Sequence, residues 1–175
     1  MALIKLNNQS ISAVSALPSG VDTGKVLQVV TANYTGQTSI TGNSLQDVGL
    51  SASITPSATS SKVLVFANLN SGAQSGQRHG FNLVRGSSTV LLQNTGTIGS
   101  RNANTTASNS NSDADIRSVV FTFLDSPSIT STTTYKVQGQ VEGSSIVYIN
   151  RTSNNGDANS YYLGTSQITL MEIEA

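Results

Sequence analysis

RSVVFTFLD (117–125), TTTYKVQGQVE (132–142), SSIVYINRT (144–152) and GTSQITLMEIE (164–174) follow one another to the C-terminus. Each is rich in Val, Ile, Thr, Phe or Tyr, and Ser-Pro, Gly-Ser and Asn-Gly steps separate them. β-Branched and aromatic runs of this length, punctuated by turn residues, read as strands. In 132–142, Tyr135, Val137, Gly139 and Val141 alternate with Lys136, Gln138, Gln140 and Glu142. That is the pattern of a half-exposed strand in an antiparallel sheet. In 117–125, Val119, Phe121 and Phe123 share one face, while Val120 and Leu124 load the other.

The pattern extends towards the N-terminus. KVLQVVT (25–31) reads as a strand, and in LQDVGLSASI (45–54) the residues Val48, Leu50, Ala52 and Ile54 face one way. SKVLVFANLN (61–70) is apolar on both faces, which predicts cover on both sides. HGFNLVRG (79–86) and STVLLQN (88–94) predict a hairpin around Gly86-Ser87. The segments 70–80, 94–115 and 152–160 read as loops, being rich in Asn, Ser and Gly. No stretch of the body keeps a helical period and no internal repeat is found, so a propeller or solenoid is not expected. The expected fold is all-β: an antiparallel β-sandwich of jelly-roll type over 21–175, preceded by a short N-terminal arm over 1–20.

In that arm, Leu3, Ile4 and Leu6 cluster, and Ile11, Val14 and Leu17 recur every third residue. Pro18 restricts Leu17 to extended geometry and separates the arm from the body. Two readings stand: a segment that docks on another protein, or an extension that packs back on its own domain. Asn7, Asn8, Gln9 and Ser10 interrupt the apolar residues, so a signal peptide is not expected.

Composition narrows the function classes. The chain has 175 residues, enough for one domain with a sizeable core. Only 10% of them are charged, the formal net charge is zero, and Ser, Thr and Asn make up more than a third. The surface is therefore hydroxyl and amide, with no electrostatic footprint for nucleic acid. A net charge near zero gives little repulsion against self-association. No apolar run reaches the ~20 residues of a membrane span, so membrane insertion is not expected. The absence of Cys removes disulfide and thiolate chemistry, and fits a bacterial or viral chain better than an animal secreted one.

Residues for catalysis are sparse. His79 is the single histidine, which precludes a site built on two. Asp113 and Asp115, with Asn109 or Asn111, offer oxygens to Ca²⁺, but the Gly and distal Glu of an EF-hand loop are missing and a solvated turn is the simpler reading. Asp157 is a weaker example of the same kind. Glu172 and Glu174 share a face of the last strand, yet nothing marks a carboxylate pair flanking a groove, as glycoside hydrolysis requires. No catalytic residue, cofactor or metal ligand is expected.

The ordered set GKVLQVV (24–30), SASITPSATSSKVLVFANLN (51–70), FNLVRGSSTV (81–90), VVFTFLDSPSITSTTTYKVQGQ (119–140), VYINRT (147–152) and SQITLMEI (166–173) resembles a domain of tailed-phage virion proteins of the marine and cyanobacterial type, often tail-fibre-like. The resemblance covers about 20–175. It implies a non-enzymatic β-sandwich that forms a homotrimer on the exterior of the virion. It also implies an N-terminal segment that fixes the domain to other virion proteins, here through Leu3, Ile4, Leu6, Ile11, Val14 and Leu17. Two locations remain open, a tail appendage used in host recognition and a decoration on the phage head; a glycan depolymerase is the least favoured alternative. For host recognition, the contact candidates lie on or beside the three loops: Arg78, His79, Arg101, Arg151, Tyr161 and Tyr162. A host surface glycan is the expected partner, with Tyr stacking on the sugar ring and Arg and Asn bonding its hydroxyls. For Tyr161 and Tyr162, packing beneath a loop is the competing reading.

Overall fold

The computed structural model describes residues 24–174 apart from 88 and 94–98. The expected arm, with its residues Leu3, Ile4, Leu6, Ile11, Val14 and Leu17, lies outside them. Eleven strands form among the described residues, and no helix. They are β1 (Val26–Tyr34), β2 (Ser39–Thr41), β3 (Gln46–Ile54), β4 (Lys62–Ala73), β5 (Arg78–Arg85), β6 (Thr89–Val90), β7 (Thr106–Asn109), β8 (Arg117–Asp125), β9 (Thr133–Val141), β10 (Ile146–Ile149) and β11 (Ser166–Ile173).

Two antiparallel sheets pack face to face as a β-sandwich. The first has β1, β11, β4 and β8 as neighbours, and β10 continues beside β4 beyond β11, with β2 at its outer edge. The second has β3, β9 and β5, and the far edge of β5 is shared by β7 and the short β6. The first and last long strands are therefore hydrogen-bonded neighbours, with Val30 opposite Leu170 and Ala32 opposite Ile168.

The period-two patterns decide what is buried. Val48, Leu50, Ala52 and Ile54 of β3 meet Val63, Val65, Ala67 and Leu69 of β4 in a single core with Phe81, Leu83, Tyr135 and Val137. Ile168 and Leu170 enter this core, while Met171 points away from it. Tyr135 is fully buried, and its hydroxyl donates to Asp125 Oδ2 at 2.7 Å. The same oxygen accepts from Arg85 Nη1 at 2.6 Å, so the phenol ends on a neutralised carboxylate rather than on bare apolar atoms.

The expected hairpin at Gly86 is present, with Val84 opposite Val90 and Gly86 at φ +64°. Its second strand holds for only two residues, and β7 takes over the pairing along the first half of β5. The segment 70–80 is mostly strand rather than loop: β4 runs to Ala73, β5 begins at Arg78, and only 74–77 turn. The expectation of cover on both faces of 61–70 is met on the core side alone. Within the protomer Phe66 remains 40% exposed.

Candidate functional site

A cleft of about 580 Å³ opens on the outer face of the second sheet, where β5 begins and β9 ends. Three sequence candidates, Arg78, His79 and Arg101, border it, together with Asn104, Gln140 and Glu142. Its base is made possible by Gly80. A Cβ there would overlap the Asn104 side-chain amide, so only glycine lets that amide lie flat on the strand. Gln140 sits opposite Gly80 in the ladder, and its Nε2 donates to Asn104 Oδ1 at 2.8 Å. The covering segment is pinned one step further along β5. There the fully buried Asn82 accepts the Thr105 backbone N–H at 2.7 Å. Arg78 Nη1 meets Glu142 Oε2 at 3.3 Å on the exposed rim.

His79 does not present its ring to this cleft. It is 3% exposed, makes an edge contact with Phe81, and has Nε2 3.4 Å from the Ser71 hydroxyl. Burial, and then the nearby Arg117 charge, lower its pKa to about 4, so it is neutral at pH 7. Its expected role as a surface contact is corrected: alternation along β5 puts it on the core side with Phe81 and Leu83.

The other three candidates belong to the connection between β10 and β11, on the first sheet. Arg151 lies over the Tyr148 ring at 3.8 Å and donates to the Thr152 and Ser153 carbonyls at 3.0 and 3.2 Å, so its guanidinium is largely engaged within the loop. The Tyr161 hydroxyl accepts from Asn154 Nδ2 at 2.7 Å. Tyr162 is 59% exposed and Leu163 71%. The structure therefore separates the six candidates into two groups. The loops do converge at the turn 110–113: Ser110 O accepts from Gly76 N at 2.7 Å, Asp113 Oδ1 from Ser75 N at 2.7 Å, and Asp113 O from Asn154 N at 3.0 Å.

That turn uses its carboxylates internally. Asp115 Oδ2 accepts from the Asn111 and Ser112 backbone N–H groups and from Arg117 Nη2, and these donors, the Asn111 amide foremost, hold its pKa below the usual carboxylate range. The carboxylate closes the turn by reaching back to the amides that precede it, and Ser112 Oγ accepts from the Ala114 backbone N–H at 3.2 Å, so the NSDAD segment forms a locally bonded turn. Among the described residues no three His, Asp or Glu side chains gather as a cation site.

A second surface is apolar. On the outer face of the first sheet, Val29, Met171, Leu64 and Leu124 lie opposite one another across β1, β11, β4 and β8. Phe66 and Val120 lie on the same face further along β4 and β8, set among Thr122, Thr169 and Asn68, and Val29, Val120 and Leu124 are 55%, 67% and 48% exposed. Period two in 117–125 places Val120 and Leu124 on this face.

Sequence reasoning missed the role of Glu172. It is fully buried, and its face is the core face of β11. Burial pushes its pKa up, but hydrogen bonds from Gln28, Ser57 and Ser61 outweigh that and hold it at about 2. Oε1 accepts from the Ser57 backbone N–H at 2.7 Å and the Ser57 hydroxyl at 2.6 Å, and Oε2 from Gln28 Nε2 at 2.6 Å. The group ties the 55–61 connection to the sheet and is closed to any ligand. No protein-family model and no curated protein matches the chain.

Proposed function

We propose that this chain is a non-enzymatic structural protein of a tailed-phage virion, a homotrimeric tail-appendage tip used in host recognition. The observation that carries the reading is the partly exposed apolar row Val29–Met171–Leu64–Leu124, with the exposed Phe66 and Val120 on the same face. Exposed apolar side chains gathered on one face of a sheet mark an interaction surface, and cyclic closure would cover them in every copy at once. The number three comes from the resemblance of 20–175 to phage virion domains. The strand order β1-β11-β4-β8 over β3-β9-β5-β7 is read as the two interlocked Greek keys of a jelly roll.

The non-enzymatic reading is supported by the cleft. Among the described lining residues Glu142 is the single carboxylate, and it is ion-paired with Arg78. Glycoside hydrolysis needs two carboxyl groups, one of them a free acid or base. The residues 1–20 are proposed to attach the domain to a neighbouring virion protein.

Light scattering on the purified chain tests the assembly, with a mass of three copies of 18.1 kDa expected. A monomer at micromolar concentration refutes it. Immunogold labelling of particles tests the location: label on the tail supports the appendage, and label confined to the head replaces it with a decoration role.

A further inference from the structure

We propose that the cleft on the outer face of the second sheet is a binding site for an acidic saccharide. Ring hydroxyls would be held by the Asn104–Gln140 amide pair and Glu142, and the anionic substituent by Arg101. The inference deepens the host-recognition reading above and rests on it for its biological setting.

Three features point to this ligand class. First, the base is preorganised. Asn104 lies on Gly80 and is held by Gln140 Nε2 at 2.8 Å, and Gln140 itself is 8% exposed, so the pair keeps its geometry without a ligand. Planar amides fixed side by side present donors and acceptors at the spacing of neighbouring hydroxyls, and preorganisation lowers the entropy cost of binding. Second, the rim is charged unequally. Arg78 is paired with Glu142, whereas Arg101 has no carboxylate within ion-pair distance among the described residues. His79 adds no charge at neutral pH. One guanidinium is left to pair bidentately with a carboxylate, sulfate or phosphate. Third, the volume of about 580 Å³ suits one or two sugar rings.

The described lining contains no aromatic ring other than the buried His79 imidazole, so stacking contributes nothing. Binding at a single cleft must rest on hydrogen bonds and one charge. It is therefore weak and salt-sensitive, and useful avidity comes from repeated copies. This differs from the Tyr-stacking mode expected from the sequence.

The test is an array of bacterial-surface saccharides probed with the full chain. It has separate arms for uronate-bearing, sulfated or phosphorylated, and neutral sugars. Titration calorimetry then follows on the best-retained oligosaccharide. Retention of anionic sugars is expected, falling with added salt; the first two arms identify the anionic group. Arg101→Ala and Asn104→Ala should each weaken binding roughly tenfold, the loss of one charge-assisted or preorganised hydrogen bond. Tyr162→Ala, on the other sheet, should bind as wild type. Retention of neutral sugars alone, no retention on any arm, or wild-type affinity in both cleft variants overturns the inference. Light scattering on the same samples separates the two readings. A trimer that retains no saccharide refutes the cleft alone, and a saccharide-binding monomer refutes the assembly alone.

Discussion

Replacing Glu172 with Gln keeps the shape of a fully buried side chain and removes its charge. In the wild type the contacts to the carboxylate are donors: the Ser57 N–H, the Ser57 hydroxyl and Gln28 Nε2, with the Ser61 hydroxyl beside them. The new amide has one acceptor oxygen. Placed towards Ser57, it leaves its NH₂ facing Gln28 Nε2. Rotating the Gln28 amide does not help, because Nε2 also donates to the Thr55 carbonyl at 2.8 Å, and an oxygen there would face another oxygen. One charge-assisted bond is lost whichever way the amides turn, and a donor or acceptor is left opposed. The cost is about 3 kcal/mol. At a urea slope of about 2 kcal/mol per M, the unfolding midpoint falls by ~1.5 M. The pH dependence gives an independent check. The folded-state pKa is about 2, below the ordinary 4.5, so this stabilisation is fully present above pH 4.5 and fades as pH drops towards 2. The gap between wild type and Glu172→Gln should be widest at neutral pH and narrow on acidification to pH 3. Equal midpoints at pH 7, or a gap that stays constant between pH 7 and pH 3, refute the reasoning.

Other perturbations probe different parts of the molecule. The double change Val120→Lys with Leu124→Glu alters side chains that are 67% and 48% exposed in the protomer, so it should leave the melting temperature of the fold within a few degrees and give monomers in light scattering; an unchanged oligomer refutes the apolar face as the interface. Asn150 is fully buried at φ +61°, donates to the Tyr34 and Gly36 carbonyls at 2.7 and 3.0 Å and accepts from Ser166 Oγ at 2.6 Å. Asn150→Ala loses all three bonds in a strained conformation and should cost about 3 to 4 kcal/mol in denaturant titration. His79 is held at about 4 against an ordinary 6.5, so the unfolded chain binds the extra proton between those values and stability declines as pH falls through that window. His79→Gln should flatten the stability profile between pH 6.5 and 4.

The sandwich was legible because its long strands carry a strict alternation. In β3 the residues at every second position, Val48 to Ile54, are the buried ones, and in β9 the same holds from Tyr135 to Val141, with Gln140 buried besides beneath Asn104. β2 and β7 left no such trace. Ser39–Thr41 holds one apolar residue, Ile40, and Thr106–Asn109 only Ala107. They are strands because a neighbour offers a free edge, Val147 for the first and Gly80–Phe81 for the second, and pairing with a free edge is a tertiary fact. The over-long loop at 70–80 has the reverse cause. Ser71 and Gly72 look like turn residues, but a Cβ at Gly72 would meet the Arg151 and Asp115 carbonyls at 2.5 and 2.7 Å. The strand continues there because β8 and β10 pair with it, and the glycine answers the close approach of the neighbouring chains. The cleft was not legible, since Asn43, Gly80, Asn104 and Gln140 are brought together from four separate stretches.

His79 and Glu172 show what the alternation says when it is applied to polar residues. His79 precedes Phe81 and Leu83 by two and four positions, and Glu172 follows Ile168 and Leu170 by four and two. Period two assigns both to the core, whatever their polarity. A polar group at such a position needs built partners, so it points to structure before chemistry. The converse applies to Val120 and Leu124, apolar residues that the same period sends outward. Nothing in their own protomer covers Val120, at 67% exposure. Burial of polar groups and exposure of apolar ones thus sort the molecule into three regions: interior ties at Glu172 and Asn150, a bare apolar face on the first sheet, and an amide-lined cleft on the second. Because the last two lie on opposite sheets, recognition at the cleft would stay open when the apolar face is covered. A variant that loses assembly should therefore keep its affinity per site for a monovalent saccharide and lose only the avidity of repeated copies.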